Sequence, residues 1–399
     1  MTATGPEHIG SNIALRRKAK GLTQHAFAAR IGISPSMLTK VERGEREASH
    51  STVAAAARAL RCTIEDLTGQ PYVDNKRDKA VHADIDVLRG VLHRVDLPSD
   101  ITPRDIDVMA ADVSSIEKLR RDAEYRKLAA RLPALIEELS AAVLLAPDAQ
   151  APRLHSLLVS VYRATHVLVH RLGFPDLAHA VEHLLAKTAA KTGDPLAGAL
   201  SEWVRAQHFQ DVGEYGHGLT LMAGALRDLG PELRSPNAAT LTVAGSLHLR
   251  AVTLAARNKD QDATREHLSA ARDLARSLST DEVHYGLVFG NSNIATHETG
   301  AFVEFQDSAA ALEAAQRWRP SRAMPKRRQG HHFIDLARAY HMHGDRKNAL
   351  KSLQEARRIA PQQTRLHPMV RQTAALLVHD HRRSNPDLTN FAGWLGLTA

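Results

Sequence analysis

The chain is poor in cysteine and in aromatic residues, and both shortages exclude classes of protein. Cys62 is its single cysteine, so the chain cannot form an internal disulfide or a zinc site built from several thiolates. Aromatic residues make up 4% of the sequence, which argues against binding single-stranded nucleic acid by stacking bases on aromatic rings. These shortages favour a reducing compartment and, for a nucleic-acid partner, a duplex.

A long hydrophobic run and a targeting signal are also missing. The sequence shows no apolar stretch that we expect to span a bilayer, and Met1–Gly10 lacks the basic start and apolar core of a secretory signal. Hydrophobic residues at 43% and charged residues at 24% are typical of a soluble globular protein. We therefore expect a cytoplasmic protein without a membrane partner, and its 399 residues predict two or more domains.

The net charge of +8 is concentrated near the N-terminus. Residues 1–71 carry ten Lys and Arg against six Asp and Glu, whereas the remaining residues carry 42 against 38. Half of the excess therefore lies in less than a fifth of the chain. A basic N-terminal module predicts a polyanionic partner, and double-stranded DNA is the first candidate.

Residues 9–69 predict five short helices that are separated by clear helix-ending residues. The first three are predicted over residues 9–20, 24–31 and 35–43. Thr23 and Ser34 can cap the second and third helices, and Gly32 permits the positive φ of a tight turn between them. Two helices joined by three residues in this way indicate a helix-turn-helix unit.

The run LTQHAFAARIGISPSMLTKVERGE resembles the DNA-binding domain of the lambda-repressor-like (XRE) transcriptional regulators over residues 9–69. The resemblance implies DNA-binding roles for Gln24, Ser34, Pro35, Ser36, Thr39, Lys40, Arg43 and Arg46. It places Gln24 at a phosphate and Pro35, Ser36, Thr39 and Lys40 in the major groove, with Lys40 as the candidate for a base contact. Arg43 and Arg46 are expected to meet phosphates, whereas Pro35 offers only apolar contact.

Two features of this module have structural interpretations that compete with functional ones. Arg17 and Glu42 could be taken for a DNA site on charge alone, but the resemblance implies an internal ion pair between the first and third helices. Cys62 ends the fourth predicted helix, where a small half-buried hydrophobic residue is the expected role rather than a catalytic thiol.

The chain after residue 71 predicts further helices and no strands. Helical patterns cover about residues 80–95 and 104–145, and Leu97-Pro98 separates them. One face of the first pattern could pack on the second domain or form a dimer contact: Val81, Ile85, Leu88 and Leu92. We predict a DNA-binding domain over 1–71, a linker with connecting helices over 72–150, and a repeat domain over 151–399.

The repeat domain is predicted from one strong helix-turn-helix unit over residues 330–361, which resembles a tetratricopeptide (TPR) repeat. Similar units can be aligned on small residues at which paired helices are expected to approach closely: Ala178, Gly218, Ala263, Ala309 and Ala349. The chain as a whole thus resembles regulators of high-GC bacteria that join an XRE domain to a TPR-like α-solenoid. The implied fold class is all-α.

The first helix of each repeat is expected to line a concave surface. Its candidate ligand-binding residues are Arg163, Trp203, Gln207, His248, Asn291, Glu298, His331, Arg338 and His341. Such a polar surface suits a peptide or a small polar ligand, or alternatively a protein partner docked on a scaffold; each residue could also belong to a merely solvated helix face.

A basic run and two histidine groups invite further hypotheses. The run contains Arg317, Arg319, Arg322, Lys326, Arg327 and Arg328. It could supplement DNA binding or hold an anionic ligand, but a solvated connector is the default. His331-His332 and His341-Met342-His343 do not converge on one ion from a helix, so we predict no metal site.

No phosphate-binding glycine loop, HExxH motif or GxSxG motif is present in the sequence, so we expect neither an enzyme nor a cofactor. The predicted function is that of a sequence-specific transcriptional regulator, an expected homodimer on operator DNA, whose TPR-like domain senses a peptide or small molecule. The alternative keeps the DNA binding and makes the TPR-like domain a protein-docking scaffold.

Overall fold

The computed structural model describes residues 8–72, 76–97, 100–320, 324–380 and 385–397. Within these ranges the chain folds into α-helices with one short 3₁₀ turn and one hairpin of two short strands. The predicted all-α class is therefore confirmed, with a helix-turn-helix domain followed by a solenoid-like helical region.

Five helices form the N-terminal domain, as the sequence predicts. They are α1 (Ile9–Ala19), α2 (Gln24–Ile31), α3 (Pro35–Glu42), α4 (His50–Leu60) and α5 (Ile64–Thr68). Their apolar faces meet in one core, in which Ile13, Phe27 and Leu38 are fully buried. The apolar spacing along each short helix therefore decides which face turns inward.

Three helices connect this domain to the repeats: α6 (Lys76–Leu92), α7 (Ile106–Arg121) and α8 (Tyr125–Leu145). The single helical pattern predicted over 104–145 is wrong, because the chain turns at Ala123, whose φ is 59°. The predicted apolar face of α6 is buried in a core that it shares with α8 and later helices. That face thus packs inside the chain rather than standing free for a dimer contact.

The rest of the chain is built mainly from helix pairs. They are α9 (Ala151–Leu172) with α10 (Pro175–Ala189), α11 (Pro195–Val212) with α12 (Tyr215–Asp228), α13 (Ala238–Arg257) with α14 (Gln261–Ala275), α15 (Asn291–Phe305) with α16 (Ser308–Gln316), and α17 (Lys326–Met342) with α18 (Arg346–Ile359). The 3₁₀ turn (Glu232–Arg234) precedes α13, and the last helices are α19 (Pro361–Leu366), α20 (Pro368–Asp380) and α21 (Pro386–Leu395). Helices α9, α11, α13, α15 and α17 pack on one another in order and form an inner row.

The small residues aligned from the sequence all fall on the outer helix of a pair, but not all of them lie at its contact. Ala178, Gly218 and Ala349 are buried as predicted, whereas Ala263 is half-buried and Ala309 is exposed. The alignment at Ala309 is therefore wrong in register. Helix α16 offers several alanines in SAAALEAAQ, so one small residue could not be told from its neighbours by spacing.

A β-hairpin between α14 and α15 contradicts the expectation of no strands. Strand β1 (Glu282–His284) pairs antiparallel with β2 (Leu287–Phe289). Tyr285 and Gly286 form the turn with positive φ values of 51° and 64°, as a tight two-residue hairpin requires. Phe289 is fully buried against Gly245, where a Cβ atom would lie 2.1 Å from the ring. The strands are too short to show an alternating pattern.

Helix α13 is, among the described helices, the one long and apolar enough to cross a membrane by length and composition. From the sequence we expected no such run. Of its most apolar window, 78% is buried inside the protein, because α13 is the central member of the inner row and packs on helices on both sides. Its hydrophobicity therefore serves the core.

Candidate functional site

The turn between α2 and α3 has the geometry that the sequence predicts. Thr23 Oγ1 accepts a hydrogen bond from the Ala26 amide at 3.2 Å, and Ser34 Oγ accepts one from the Met37 amide at 3.1 Å. Gly32 ends α2 in the left-handed region with φ 71°. Local capping therefore fixes the angle at which α3 leaves the turn.

Helix α3 presents its polar residues outward. Leu38 and Val41 are buried beneath it, whereas the predicted DNA-contacting residues on its outer side are exposed: Ser34, Pro35, Ser36, Lys40 and Arg43. The side chain of Arg43 is 69% exposed and lies 3.8 Å from Glu45. These residues stand clear of the rest of the protein, and their contacts with DNA stay a prediction.

Gln24 and Thr39 are half-buried and bonded within the domain. Gln24 Nε2 donates to Glu42 Oε2 at 2.7 Å, and Thr39 Oγ1 donates to the Pro35 carbonyl at 2.9 Å. The same carboxylate accepts bonds from Arg17 at 2.6 and 2.9 Å. The internal Arg17–Glu42 pair is thus confirmed, and it fixes α1, α2 and α3 against one another.

Arg46, predicted to meet a phosphate, points instead toward the helical region. Its Nη2 donates to Gln306 Oε1 at 2.6 Å. Arg58 of α4 makes a second contact of this kind, from Nη1 to the Gly213 carbonyl at 2.5 Å. These polar contacts hold the N-terminal domain on the solenoid together with a buried apolar cluster, which includes Leu60 of the domain and Ile334 and Phe391 of later helices.

A buried ionic junction lies between these two contacts. Arg338 Nε on α17 donates to Glu47 Oε1 at 2.5 Å, and Arg338 Nη1 lies 3.4 Å from Asp335 and 3.5 Å from Glu304. His50 Nδ1 lies 2.6 Å from the same Glu304 oxygen. We call Glu47, His50, Glu304, Asp335 and Arg338 the junction; two of them belong to the N-terminal domain and three to the solenoid.

Burial and charge act against each other on the junction carboxyls. Burial alone would raise the pKa of Glu304, but His50 and Arg338 hold it below its usual range. Burial raises the pKa of Asp335 to about 6, with Arg338 opposing the shift. Arg338 thus serves three acidic groups, and Arg257 also lowers the pKa of Glu304 and Asp335.

A polar cavity of about 60 Å³ adjoins the junction. Its wall includes His50 from α4, Arg257 from α13, His297 from α15, and Arg328 and His331 from α17. Burial and nearby arginines hold the pKa of His297 and His331 well below the ordinary histidine value. Both imidazoles are therefore neutral at physiological pH and can donate or accept a hydrogen bond.

The structure brings together five of the nine predicted ligand-binding residues in two groups. His331 and Arg338 line the cavity. Arg163, Trp203 and Gln207 lie farther along the inner row, where the Arg163 guanidinium lies 5.7 Å from the centre of the Trp203 ring. These side chains belong to α9, α11 and α17, as a shared concave surface requires.

The other four predicted ligand-binding residues lie elsewhere. His248 Nδ1 lies 3.0 Å from His267 on the outer helix α14, and Glu298 binds Arg272 and Arg317 at 2.7 and 3.1 Å. Asn291 is exposed at the start of α15, and His341 faces Asp380 of α20. The roles of all nine residues in ligand binding stay a prediction.

The inner row holds polar residues that sequence reasoning missed, above all Arg250 and Arg257 on the apolar helix α13. Arg250 stacks on the Trp203 ring at 4.0 Å, and its Nη1 donates to Gln207 Oε1 at 2.8 Å. Seven residues separate Arg250 from Arg257, which places both on one helix face. That spacing, in an otherwise apolar helix, is the signal by which they could have been found.

The hairpin turn covers the far end of this row. The Gly286 carbonyl accepts a hydrogen bond from Arg120 Nη2 at 3.0 Å, and a Cβ atom on Gly286 would lie 2.3 Å from Arg163 Nη1. Only glycine fits both this close approach and the positive φ. Arg120 also pairs with Glu117 at 2.6 Å, so its own charge is balanced.

The predicted basic run does not act as one patch. Arg317 pairs with acidic side chains, and Arg319 donates to main-chain carbonyls of its own segment. Lys326 is exposed, whereas Arg327 and Arg328 are half-buried. Arg322 lies outside the described residues. The run thus divides into a surface part and an interior part.

One group of side chains could hold a metal ion. The ligand atoms of His179, Glu182 and His208 lie within 4.8 Å of one another. Glu182 is buried and is bonded to His166 Nε2 at 2.9 Å, whereas both histidines of the group are exposed. The predicted absence of a metal site was based on His331 and His341 alone, and it stays a prediction.

Comparison with known proteins agrees with the geometry of the N-terminal domain. The helix-turn-helix family model matches residues 13–67. The HTH-type transcriptional regulator YazB of Bacillus subtilis (strain 168) is 41% identical over 58 residues, which are 14% of this chain and 84% of that protein. The regulator y4dJ of Sinorhizobium fredii is 44% identical over 59 residues, 15% of this chain and 77% of that protein.

Among solved structures, this chain is similar to Bacillus thuringiensis PlcR in complex with the peptide PapR7 and DNA. The identity is 14%, the TM-score is 0.30, and the likeness covers 68% of this chain and 95% of that chain. Through its N-terminal domain the chain belongs to the helix-turn-helix family of DNA-binding transcriptional regulators.

Proposed function

We propose that this protein is a sequence-specific transcriptional regulator whose helical region senses a ligand and transmits its binding to the DNA-binding domain through the junction. The observation that carries the proposal is the cavity beside the junction, because its wall combines His50 of the N-terminal domain with residues of the solenoid. A ligand there contacts both regions at once.

The junction has the properties that a coupling element needs. Arg338 is held by Glu47 of one region and by Glu304 and Asp335 of the other. A ligand shifts an equilibrium only if it binds the two arrangements with different affinity. Release of Glu47 changes the charge around the cavity, so the docked and released arrangements present different sites to a ligand.

Docking leaves α3 free, so the ligand does not act by uncovering it. Pro35, Ser36 and Lys40 are exposed in the docked arrangement. A helix-turn-helix dimer reads two half-sites about 34 Å apart, which makes binding sensitive to the relative orientation of the two reading helices. We propose that the protein binds as a homodimer and that the ligand changes this orientation; light scattering of the purified chain tests the dimer.

Two substitutions in the N-terminal domain distinguish a base contact from a phosphate contact. We expect Lys40→Ala to weaken operator binding by about 1–3 kcal/mol and to relax preference at one base position, because an ammonium group bonds guanine acceptors. Arg43→Ala should weaken operator and random DNA alike. Mobility shifts on both DNAs measure this, and equal losses for Lys40→Ala on both would contradict the base contact.

The coupling is tested with Glu47→Gln, which removes one charge from the junction. The operator is first found by genomic footprinting, and its affinity is then measured with and without culture extract of the native host. We expect the extract to change the affinity of the wild type and to change that of Glu47→Gln much less. Glu266→Gln, an exposed carboxyl substitution on α14, serves as the control and should respond like the wild type.

The docking-scaffold alternative predicts a different result in the same experiment. If only the protein fraction of the extract is active, and a stoichiometric protein partner is retained by the helical region, the solenoid is a scaffold. If no fraction changes the operator affinity, both forms of coupling are wrong. Specific DNA binding is tested separately by the Lys40→Ala variant.

A further inference from the structure

The inner row of helices contains a group of arginines with no acidic partner. We call it the arginine cluster, and its members are Arg163 and Arg171 of α9, Arg250 and Arg257 of α13, and Arg327 and Arg328 of α17. In the described part of the chain, none of the six has a carboxylate oxygen within 4.0 Å. Six guanidiniums therefore lie along the inner row without a carboxylate in direct contact.

Two members of the cluster are more than nine-tenths buried. Arg163 is 2% exposed and Arg250 is 8% exposed. Nε and Nη1 of Arg163 and Nε of Arg250 have no hydrogen-bond partner among the described residues. The same is true of Nε in three half-buried members, Arg171, Arg257 and Arg328. Buried hydrogen-bond donors in folded proteins normally have acceptors, so these unpaired N–H groups indicate that a ligand binds here.

Other buried arginines in this protein are satisfied. Arg17 is paired with Glu42, Arg120 with Glu117, and Arg338 with the junction carboxylates. Each of these three buried arginines is therefore paired with a carboxylate. The arginine cluster differs from these pairs in lacking any such carboxylate.

The members of the cluster are close enough to act on one another. Burial, together with neighbouring arginines, lowers the pKa of Arg250 and of Arg327 to about 9 and that of Arg328 to about 10, although Asp211 opposes the shift of Arg250 and Asp335 opposes that of Arg328. Arg163 and Arg250 both approach the Trp203 ring, at 5.7 and 4.0 Å. The cluster extends from Arg163 beside the hairpin turn to Arg257 and Arg328 in the cavity wall.

The cavity gives this surface a place for a ligand. Its wall contains Arg257, Arg328 and Arg338, the neutral imidazoles of His297 and His331, and the carboxylates of Glu304 and Asp335. Gly300 also lines it, and a Cβ atom there would lie 3.1 Å from Asp335 Oδ2. Guanidinium groups match the planar or tetrahedral arrangement of oxygens in carboxylates and phosphates.

We propose that the arginine cluster is the ligand site of this regulator and that its ligand is a small anion with at least two phosphate or carboxylate groups. The inference rests on the proposed sensing function for its biological role, but not for the binding itself. One oxyanion group occupies the cavity between Arg257 and Arg328, and a second reaches the guanidiniums of Arg250 and Arg163 along the inner row.

The same geometry links the anion to the DNA-binding domain. Arg338 borders the cavity and also holds Glu47. An oxyanion in the cavity competes with Glu47 for this guanidinium, which weakens the docked arrangement. The ligand therefore binds the released arrangement more tightly than the docked one, and sensing requires such a difference in affinity.

Thermal unfolding and calorimetry of the full chain test the site with two probes, sodium pyrophosphate and sodium citrate, against sodium chloride of matched ionic strength. We expect pyrophosphate, citrate or both to raise the melting temperature by about 2 °C or more beyond chloride and to bind with a stoichiometry of one. A response to one probe alone decides between phosphate and carboxylate as the recognised group.

Substitutions locate the binding. In the double variant Arg257→Gln, Arg328→Gln we expect at least tenfold weaker probe binding. Without any probe its melting temperature should be equal to or above that of the wild type, because two unpaired cations are removed. Lys326→Gln on the same helix, with its side chain 58% exposed, is the matched control and should bind like the wild type. Circular dichroism and binding to random DNA verify that each variant is folded.

The outcomes separate this inference from the proposed function. If neither probe binds better than chloride, or if the double variant binds as well as the wild type, the anion site is wrong. If Lys326→Gln loses as much as the double variant, binding is nonspecific and the site is also wrong. If a probe binds specifically but leaves the operator affinity unchanged, the anion site is supported and sensing through it is contradicted. If the host extract changes the operator affinity but neither probe binds, sensing is supported and the anion site is contradicted.

Discussion

Arg17 in the DNA-binding domain and Arg163 in the solenoid are both buried, yet their surroundings differ. Arg17 donates to both oxygens of Glu42 and to the Leu22 carbonyl at 2.6 Å. Arg163 has Nε and Nη1 without a partner among the described residues. An uncompensated buried charge is costly. Arg17 therefore stabilises the domain, whereas Arg163 lowers the stability of the protein until a ligand binds.

Acidification should have the largest effect on stability, and it should act mainly on the solenoid, because most of the buried histidines lie there. Burial lowers the pKa of His248 and His332 to about 4, with His267 adding to the shift of His248. Between pH 6.5 and 4 the unfolded chain binds protons that the folded chain does not, so stability falls as the pH falls. At pH 5 each of the two costs on the order of 2 kcal/mol.

Urea unfolding from pH 7.5 to 5 measures this loss, and tryptophan fluorescence reports its location, because all three tryptophans (Trp203, Trp318 and Trp394) lie outside the N-terminal domain. The pKa values of His297, His331 and His367 are lowered as well, which adds to the loss. A free energy of unfolding that stays constant over this range would contradict the neutral, buried state of these histidines.

Removal of the paired arginine gives the next largest effect. Arg17→Met leaves the Glu42 carboxylate buried without its main partner, so we expect a loss of about 3–5 kcal/mol in the free energy of unfolding. Arg16→Met is the control, since Arg16 pairs with Asp66 at an exposed site and should cost less than about 1 kcal/mol. Similar losses in the two variants would mean that burial of the Arg17 pair is unimportant.

Removal of the unpaired arginine has the smallest expected effect, and of opposite sign. Arg163→Met keeps the volume and removes a charge without a partner, so we expect a gain of about 1 kcal/mol in water without added anions. Arg120→Met, beside it, leaves Glu117 without its partner and should destabilise the protein. If Arg163→Met destabilises as much as Arg120→Met, Arg163 is a structural residue and the contrast with Arg17 is lost.

Local features of the sequence were enough to predict the DNA-binding domain. The caps Thr23 and Ser34, the turn at Gly32 and the Arg17–Glu42 pair all depend on residues that are close in sequence or fixed by the family pattern. The helix pairs of the solenoid were also predicted, because each carries its own apolar faces and turn residues.

The rest could not be predicted because it depends on how distant helices meet. The break at Ala123 has no glycine or proline to mark it, and the strands of the hairpin are three residues long. The cavity combines His50 with residues more than two hundred positions away. Neither the junction nor the arginine cluster leaves a pattern within a single repeat, apart from the seven-residue spacing of Arg250 and Arg257.

One titration tests the central claim that the solenoid reads an anion and reports it to the DNA-binding domain. The strongest genomic site of the full chain is titrated with protein in the presence and absence of pyrophosphate or citrate, for the wild type and for Arg257→Gln, Arg328→Gln. We predict that an anion changes the operator affinity of the wild type several-fold and leaves that of the double variant unchanged. Identical affinities in all conditions would contradict the claim.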